Sequence, residues 1–84
     1  MQVELVTRTG CHLCEEALAE LRALGIEPRL RDVDGDPVLF AQFDFRVPVV
    51  LLDGKVIAEG RVSLDQLKSA GLGSGRSGMG QEVT

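Results

Sequence analysis

The chain has 84 residues, enough for one domain with a small core, and its apolar fraction of 44% is typical of folded globular proteins. Nine basic against thirteen acidic residues give a net charge of -4, and the basic ones are scattered, so the sequence indicates no nucleic-acid partner. No basic segment leads into a secretory apolar stretch and no run reaches transmembrane length, which predicts a soluble cytoplasmic protein without a membrane partner.

The first predicted elements are a buried strand, a turn and a helix. Residues 2–7 form a mostly apolar run that ends at Thr7-Arg8-Thr9-Gly10. The helix begins near Cys11, and Gly25 is placed to end it. Its apolar residues recur at spacings of three to four and predict one buried stripe, formed by Leu13, Ala17, Leu18, Leu21 and Leu24.

A second strand is predicted over residues 26–33, followed by a short helix. Asp36 has the residue type of an N-cap, and proline at the next position suits the first residue of a helix. The sequence predicts that the apolar face of this helix consists of Leu39, Phe40 and Phe43.

A hairpin is predicted next. Residues 49–52 are four apolar residues without alternation, which predicts a strand that is covered on both faces and lies at the centre of the sheet. Asp53-Gly54 is a two-residue hairpin signal, so residues 55–59 should return antiparallel to that strand.

The last predicted helix spans residues 64–70. Ser63 and Gln66 have the spacing of a capping box, and Gly71 is placed to close the helix. The Gly/Ser-rich residues 71–84 lack apolar periodicity and are predicted to be a flexible tail.

The order of these elements is strand, helix, strand, helix, strand, strand, helix. Parallel strands need helical crossovers and the last two strands need only a hairpin. The predicted fold is therefore an α/β domain over residues 1–70, a mixed four-stranded sheet with three helices in a thioredoxin-type layout.

A cysteine pair, Cys11 and Cys14, falls at the corner between the first strand and the first helix. The two residues are one helical turn apart and can close a small ring. In a reducing compartment a lone close pair points to redox or metal chemistry rather than to a structural disulfide. Unpaired backbone amides at a helix start favour a thiolate, which is the reactive form of cysteine.

The two cysteines have different predicted roles. Cys11 caps the helix and is the predicted nucleophile, whereas Cys14 lies inside the first turn and would resolve the mixed disulfide. A helix dipole contributes about 0.3 to 1 kcal/mol, less than the roughly 1.36 kcal/mol that moves a pKa by one unit. Nearby cations must therefore add to it, and Arg8 and His12 are the candidates for tuning the pKa of Cys11.

Four segments resemble the small bacterial glutaredoxin-like proteins of the thioredoxin-fold superfamily, over roughly residues 2–70. A Cys-x-x-Cys motif alone is a weak signal, but a Val-Pro about 35 residues later, followed by Asp-Gly and Glu-Gly, makes it specific. The segments are Thr7-Arg8-Thr9-Gly10-Cys11-His12-Leu13-Cys14, Asp36-Pro37 with Phe43, Arg46-Val47-Pro48-Val49, and Ala58-Glu59-Gly60-Arg61.

The resemblance implies a thiol-disulfide oxidoreductase with Cys11 as nucleophile and Cys14 as resolving thiol. Pro48 would be cis and face the cysteines, and the backbone of Val47 would pair with an extended disulfide substrate. Arg8 occupies a basic position that in glutaredoxins contacts a glutathione carboxylate. The implied substrate-binding residues are Arg46, Val47, Pro48, Gly60 and Arg61.

The sequence also departs from the glutaredoxin pattern. His12 and Leu13 stand where glutaredoxins usually carry proline and an aromatic residue, and Arg46 replaces a common threonine. Gly60-Arg61-Val62 lacks the second glycine and the acidic residue that usually hold glutathione.

We expect a monomer with no bound cofactor or metal, whose partners are disulfide-containing proteins or glutathione. Its electron donor would be a thioredoxin-reductase-type protein or a glutathione-dependent system.

Two other functional classes remain open. A copper or zinc chaperone also places Cys-x-x-Cys at the start of its first helix, but it expects the order strand, helix, strand, strand, helix, strand. It commonly has methionine two residues before the first cysteine, where this chain has Thr9. A redox-inert adaptor with the same fold is the third class, and it would have no need of two thiols.

Overall fold

A computed structural model of the protein describes residues 2–72. The order of its elements is βαβαββα, which confirms the predicted fold class. The elements are β1 (Val3–Thr7), α1 (His12–Ala23), β2 (Arg29–Asp32), α2 (Pro37–Phe43), β3 (Val49–Leu52), β4 (Lys55–Glu59) and α3 (Leu64–Ser69).

The four strands form one mixed sheet in the order β2-β1-β3-β4. β1 runs parallel to β2 and antiparallel to β3, and β4 returns antiparallel to β3. The predicted central strand, β3, is one of the two inner strands. Because of these directions, β1 ends, β3 begins and β4 ends at the same edge of the sheet, which we call the redox edge below.

Both faces of the sheet are covered, because successive side chains along a strand point to opposite sides. On one face, Leu5 and Val50 pack with residues of α1 and α3. On the other face, Val6 and Val49 pack against α2. The face with two helices has the larger buried cluster: Leu5, Ala17, Leu21, Val50, Ala58, Val62, Leu67 and Leu72.

The C-terminal end of α3 is closed by a turn that returns the chain to the core. Gly71 has a φ of 96°, donates its N–H to the carbonyl of Lys68, and is followed by Leu72, whose N–H donates to Leu67. This is a Schellman motif, and α1 ends in the same way at Gly25. Leu72 was predicted to lie in the flexible tail, but the motif turns its side chain into the core, where it is fully buried.

The second strand is shorter than predicted. The strand predicted over residues 26–33 covers only Arg29–Asp32, because Ile26 still donates to the carbonyl of Leu21 and so completes the end of α1. At the other end, the chain leaves β2 through a 3₁₀ turn over Val33–Gly35 that the Asp32 side chain caps.

Phe40 was predicted on the buried face of α2, and this prediction is wrong. Its side chain is 44% exposed, whereas Leu39 and Phe43 are buried as predicted. α2 has only seven residues, so a stripe with two members already covers the sheet, and Phe40 lies on a neighbouring side of the helix. The guanidinium of Arg8 lies 6.0 Å from the centre of its ring.

The described part of the chain ends at Leu72, so the rest of the predicted flexible tail, residues 73–84, lies outside it. Among residues 2–72, no helix is long and apolar enough to span a bilayer.

Candidate functional site

A tight turn brings the first cysteine to the start of α1. The N–H of Cys11 donates to the carbonyl of Arg8 at 3.2 Å, which closes a four-residue turn. Gly10, the third residue of that turn, has a φ of 79°. A side chain is strained in this left-handed region, so glycine is what the turn requires here.

Cys11 is the N-cap of α1, as predicted. Its Sγ accepts a hydrogen bond from the backbone N–H of Cys14 at 3.1 Å. The two cysteines form a disulfide with their Cα atoms 5.2 Å apart. Cys14 is only 2% exposed, whereas Cys11 is partly exposed. The pair is therefore asymmetric, with the sulfur at the helix start better placed to meet a substrate.

The side chain of Arg8, a predicted tuning residue, is bound to two carboxylates. Its Nε and Nη2 donate to the two carboxylate oxygens of Asp34, at 2.9 and 2.8 Å. Nη2 also donates to Oδ1 of Asp44 at 2.5 Å, and Nη1 donates to the backbone carbonyl of Asp44 at 3.1 Å. We call these three residues the Arg8 clasp. Within residues 2–72 the guanidinium makes no other hydrogen bond.

The hydrogen bonds of the Arg8 clasp have electrostatic consequences. The bonds to Asp34 and Asp44 raise the pKa of Arg8 above its usual value. In turn, the bond from Arg8 lowers the pKa of Asp34, so this carboxyl is ionised at neutral pH. The positive charge is thus balanced inside the clasp. The role of Arg8 in tuning Cys11 stays a prediction, and its visible role is to join the cysteine turn to the end of α2.

His12, the second predicted tuning residue, faces solvent along the helix. Its Nε2 lies 2.8 Å from the carboxylate of Glu16, one turn further on, and its side chain is 81% exposed. Its side chain thus contacts a carboxylate rather than the sulfur of Cys11. The tuning role of His12 also stays a prediction.

The segment with Pro48 lies at the same edge of the sheet as the cysteines. Val49 pairs with Val6 near the end of β1, so the residues before Val49 continue toward the cysteine turn. The Val47–Pro48 peptide is cis, as the resemblance implied, and the carbonyl of Pro48 accepts the N–H of Gly60 at 2.8 Å. The redox edge therefore includes four of the predicted site residues: Cys11, Val47, Pro48 and Gly60.

The backbone of Val47 has no hydrogen-bond partner among residues 2–72. Neither its N–H nor its C=O takes part in the sheet, which begins two residues later at Val49. Pro48, which lies between Val47 and Val49, is buried. The N–H and C=O of Val47 are thus available for pairing with another chain.

Arg46, a predicted substrate-binding residue, is held by β4. Its Nε and Nη2 each donate to a carboxylate oxygen of Glu59 at 2.7 Å, and its guanidinium lies 5.2 Å from the centre of the Phe43 ring. We call this ion pair the Arg46 bridge. The hydrogen bond from Arg46 lowers the pKa of Glu59.

Arg61 has a different environment from the other two arginines of the redox edge. It is exposed and makes no ion pair or hydrogen bond within the described residues. Together with Glu16 and Glu20 of α1, it lines a shallow depression that reaches the start of α3. Arg61 is thus the one predicted substrate-binding arginine whose charge is not met by a carboxylate in residues 2–72.

A family model described as the glutaredoxin-like domain (DUF836) matches residues 2–70, which include every element from β1 to α3. The chain belongs to this glutaredoxin-like family. Proteins named uncharacterized protein Rv0508 of Mycobacterium tuberculosis and Mb0520 of Mycobacterium bovis are each 51% identical to it over 63 residues. These matches cover 64% of this chain and 65% of the length of each relative.

Solved structures support the same fold. The solution structure of protein Ne2328 from Nitrosomonas europaea is 29% identical, has a TM-score of 0.71, and matches over 82% of this chain and 88% of that one. The crystal structure of the thioredoxin-like protein BC3987 is 23% identical, has a TM-score of 0.64, and matches over 81% and 97%. The glutaredoxin-like chain thus has a thioredoxin fold with a Cys-x-x-Cys pair at disulfide distance.

The fold also bears on the metal-chaperone alternative. The order of elements from β1 to α3 differs from the order that a copper or zinc chaperone would require, and it ends in a helix. Across residues 2–72, the side chains of His, Cys, Asp and Glu form no group of three or more that could hold a metal ion.

Sequence reasoning missed four residues of the redox edge. Three of them are carboxylates: Arg8 is bound by Asp34 and Asp44, and Arg46 by Glu59. The fourth is Phe45, which is 96% exposed. The partners of Arg8 are 26 and 36 residues away in the chain, so no local pattern could have identified them. The exposure of Phe45 had one signal, since charged residues flank it between the predicted short helix and the predicted central strand.

Proposed function

We propose that this protein is a thiol-disulfide oxidoreductase that works through a dithiol/disulfide cycle at Cys11 and Cys14. The observation that carries the proposal is the N-cap position of Cys11, whose sulfur accepts the N–H of the residue to which it is bonded. A thiolate at this place would keep that hydrogen bond, and the aligned amides of α1 would favour its negative charge. We infer that the pKa of Cys11 lies below its ordinary value.

The cycle begins when the Cys11 thiolate attacks one sulfur of a substrate disulfide. A bond forms between Cys11 and that sulfur, the substrate disulfide breaks, and the other substrate sulfur leaves as a thiolate that takes up a proton. Cys14 then loses its proton and attacks the Cys11 sulfur. This step releases the second substrate thiol and leaves Cys11 joined to Cys14, so two electrons have passed to the substrate.

The different exposure of the two cysteines supports this order of events. Cys14 is buried, so a bulky substrate cannot reach its sulfur first, whereas Cys11 is partly exposed at the helix start. Once the mixed disulfide has formed, the resolving sulfur is already one helical turn away. The unpaired backbone of Val47 would bind an extended substrate by main-chain hydrogen bonds, as in other cases of strand addition.

A reducing partner must return the disulfide to the dithiol. We propose that this partner is either a thioredoxin-reductase-type protein or glutathione, and that the protein carries no bound cofactor. We further propose that it acts as a monomer in the cytoplasm on protein disulfides or low-molecular-weight disulfides.

Turnover assays test this proposal with the full chain. Reduction of a disulfide-bonded polypeptide such as insulin is followed with dithiothreitol as electron donor, and then with NADPH and either thioredoxin reductase or glutathione plus glutathione reductase. The expected result is reduction faster than with the donor alone, and loss of that acceleration in Cys11→Ser. A rate equal to that of the donor alone in all three systems, for polypeptide and small disulfides alike, would instead favour a redox-inert adaptor.

A further inference from the structure

Phe45 is the most exposed large apolar side chain of the described residues, at 96%. It lies in the turn between α2 and β3, two residues before Val47. A phenylalanine so fully in water loses the free energy that burial would give it. Its place beside the unpaired backbone of Val47 makes it a candidate for contact with a substrate.

The backbone on both sides of Phe45 is fixed. The N–H of Asp44 donates to the carbonyl of Phe40 at 3.1 Å, and the N–H of Arg46 donates to that of Phe43 at 2.9 Å. The side chains of the same two residues are held by the Arg8 clasp and the Arg46 bridge. An apolar side chain on a fixed backbone loses little freedom when it binds, and aromatic residues, phenylalanine among them, are enriched in the cores of protein interfaces.

The charges of the redox edge favour a polypeptide over glutathione disulfide, which is anionic. The guanidiniums of Arg8 and Arg46 are both occupied by carboxylates of the same chain. Arg61 lacks such a partner in residues 2–72, but it lies beside Glu16 and Glu20, so the depression that these three line is net acidic. A small anionic ligand thus finds little uncompensated positive charge here.

We propose that Phe45 determines substrate specificity by packing against an apolar side chain of a polypeptide disulfide substrate whose backbone pairs with Val47. This inference rests on the proposed oxidoreductase function and names its substrate class. The polypeptide supplies both things that the redox edge leaves unmatched: a strand for the N–H and C=O of Val47 and an apolar surface for Phe45. Hydroxyethyl disulfide supplies neither, and glutathione disulfide supplies backbone groups but no apolar side chain.

Phe45→Ala tests the inference through a ratio of two activities. The kcat/KM for a disulfide-bonded polypeptide such as insulin is divided by that for hydroxyethyl disulfide, in the full chain with dithiothreitol as donor. We expect the ratio to fall about tenfold, as for partial loss of a buried phenylalanine contact, mainly through a higher KM for the polypeptide. Phe45→Leu should restore most of the ratio, because it restores an apolar side chain.

Val56→Ala is the matched control. Val56 is another exposed apolar residue, but it lies on β4 next to Lys55 and the hairpin, at the end of the strand away from the redox edge. Its ratio should equal that of the parent chain.

The outcomes separate this inference from the proposed function. If the parent chain reduces neither substrate, the proposed function fails. If the parent chain reduces both and Phe45→Ala leaves the ratio unchanged, or Val56→Ala lowers it equally, the function stands and the role of Phe45 is wrong. A parent chain that reduces hydroxyethyl disulfide or glutathione disulfide but no polypeptide would also overturn the inference.

Discussion

The cysteine turn, residues 8–14, and the proline loop, residues 44–48, meet at one edge of the sheet but are built differently. The cysteine turn takes its geometry from local sequence, with Gly10 in the turn and Cys11 capping α1. The side chains of the proline loop, by contrast, are held by distant partners through the Arg8 clasp and the Arg46 bridge. The cysteine pair is thus positioned by local contacts, whereas the proposed recognition surface also depends on the tertiary fold.

The cysteine turn and the proline loop also differ in how charged side chains act in them. The two side chains near the cysteines that could have supplied positive charge, Arg8 and His12, both contact carboxylates. What remains to favour a thiolate at Cys11 is the start of α1 itself, with its unpaired amides and its dipole. In the proline loop, by contrast, the charged side chains are paired, whereas Phe45 is exposed and the N–H and C=O of Val47 have no partner among residues 2–72.

The largest effect is expected from removing either sulfur of the cysteine turn, because the proposed cycle needs both. Cys11→Ser should abolish disulfide reduction, because serine cannot form the mixed disulfide. Cys14→Ser should keep the first step and accumulate a covalent adduct with the substrate, since the resolving thiol is gone. Mass spectrometry of the reaction mixture detects the adduct. An adduct that accumulates on Cys14 in the Cys11→Ser variant would reverse the assigned roles.

The next largest effect concerns the packing of α1 rather than its start. Leu21 is fully buried near the end of this helix, so Leu21→Ala should lower the free energy of unfolding by about 2 to 5 kcal/mol. Because the thiolate is stabilised by the first turn, the pKa of Cys11 in the folded variant should not change. Urea denaturation gives the first quantity and the pH dependence of alkylation gives the second. A changed pKa would mean that the cysteine turn is not locally determined.

A smaller effect is expected from loosening the proline loop. Arg46→Met keeps the length of the side chain but removes the two hydrogen bonds to Glu59. The KM for a polypeptide disulfide should rise about twofold to fivefold, since the loop must be ordered on binding. The pKa of Cys11 should change little, because we assign the stabilisation of its thiolate to the first turn of α1. Glu59→Gln is the paired variant and should give the same pattern.

The Arg46 bridge also predicts a dependence of stability on pH. The pKa of Glu59 is lowered in the folded protein, so its stabilising contribution is present above its unfolded pKa of about 4.3 and is lost as pH falls through the lower folded value. The difference in urea midpoint between the parent chain and Arg46→Met should therefore be constant from pH 8 to about pH 5 and shrink below about pH 4. A difference that grows toward low pH would contradict this.

The smallest effect is expected at His12, whose side chain is exposed and contacts Glu16. His12→Asn should move the pKa of Cys11 by less than about one unit, since an exposed charge near a helix start contributes less than about 1 kcal/mol. A larger shift, measured by alkylation, would restore His12 as the residue that tunes the nucleophile.

The sequence predicted the features that depend on neighbouring residues. Asp36 caps α2, Ser63 and Gln66 form the capping box of α3, and Asp53-Gly54 turns the hairpin, with positive φ at both residues. Each follows from contacts within four residues. The position of the cysteine pair at the helix start was predictable for the same reason.

The features that the sequence did not predict depend on contacts between distant segments. The prediction placed Phe40 on the buried face of α2, and only the position of the helix on the sheet shows that it is not. Leu72 looked like tail sequence until the turn at Gly71 carried it into the core. The carboxylate partners of Arg8 and Arg46 lie between 13 and 36 residues away, so their roles required the fold.

The most direct test of the account is the rate of alkylation of each cysteine in the reduced full chain as a function of pH. Iodoacetamide labelling, read by mass spectrometry of peptides, separates the two sites. We expect Cys11 to react first, with a pKa below the ordinary value of about 8.5, and Cys14 to be protected. Faster labelling of Cys14, or a pKa of Cys11 at or above the ordinary value, would contradict it.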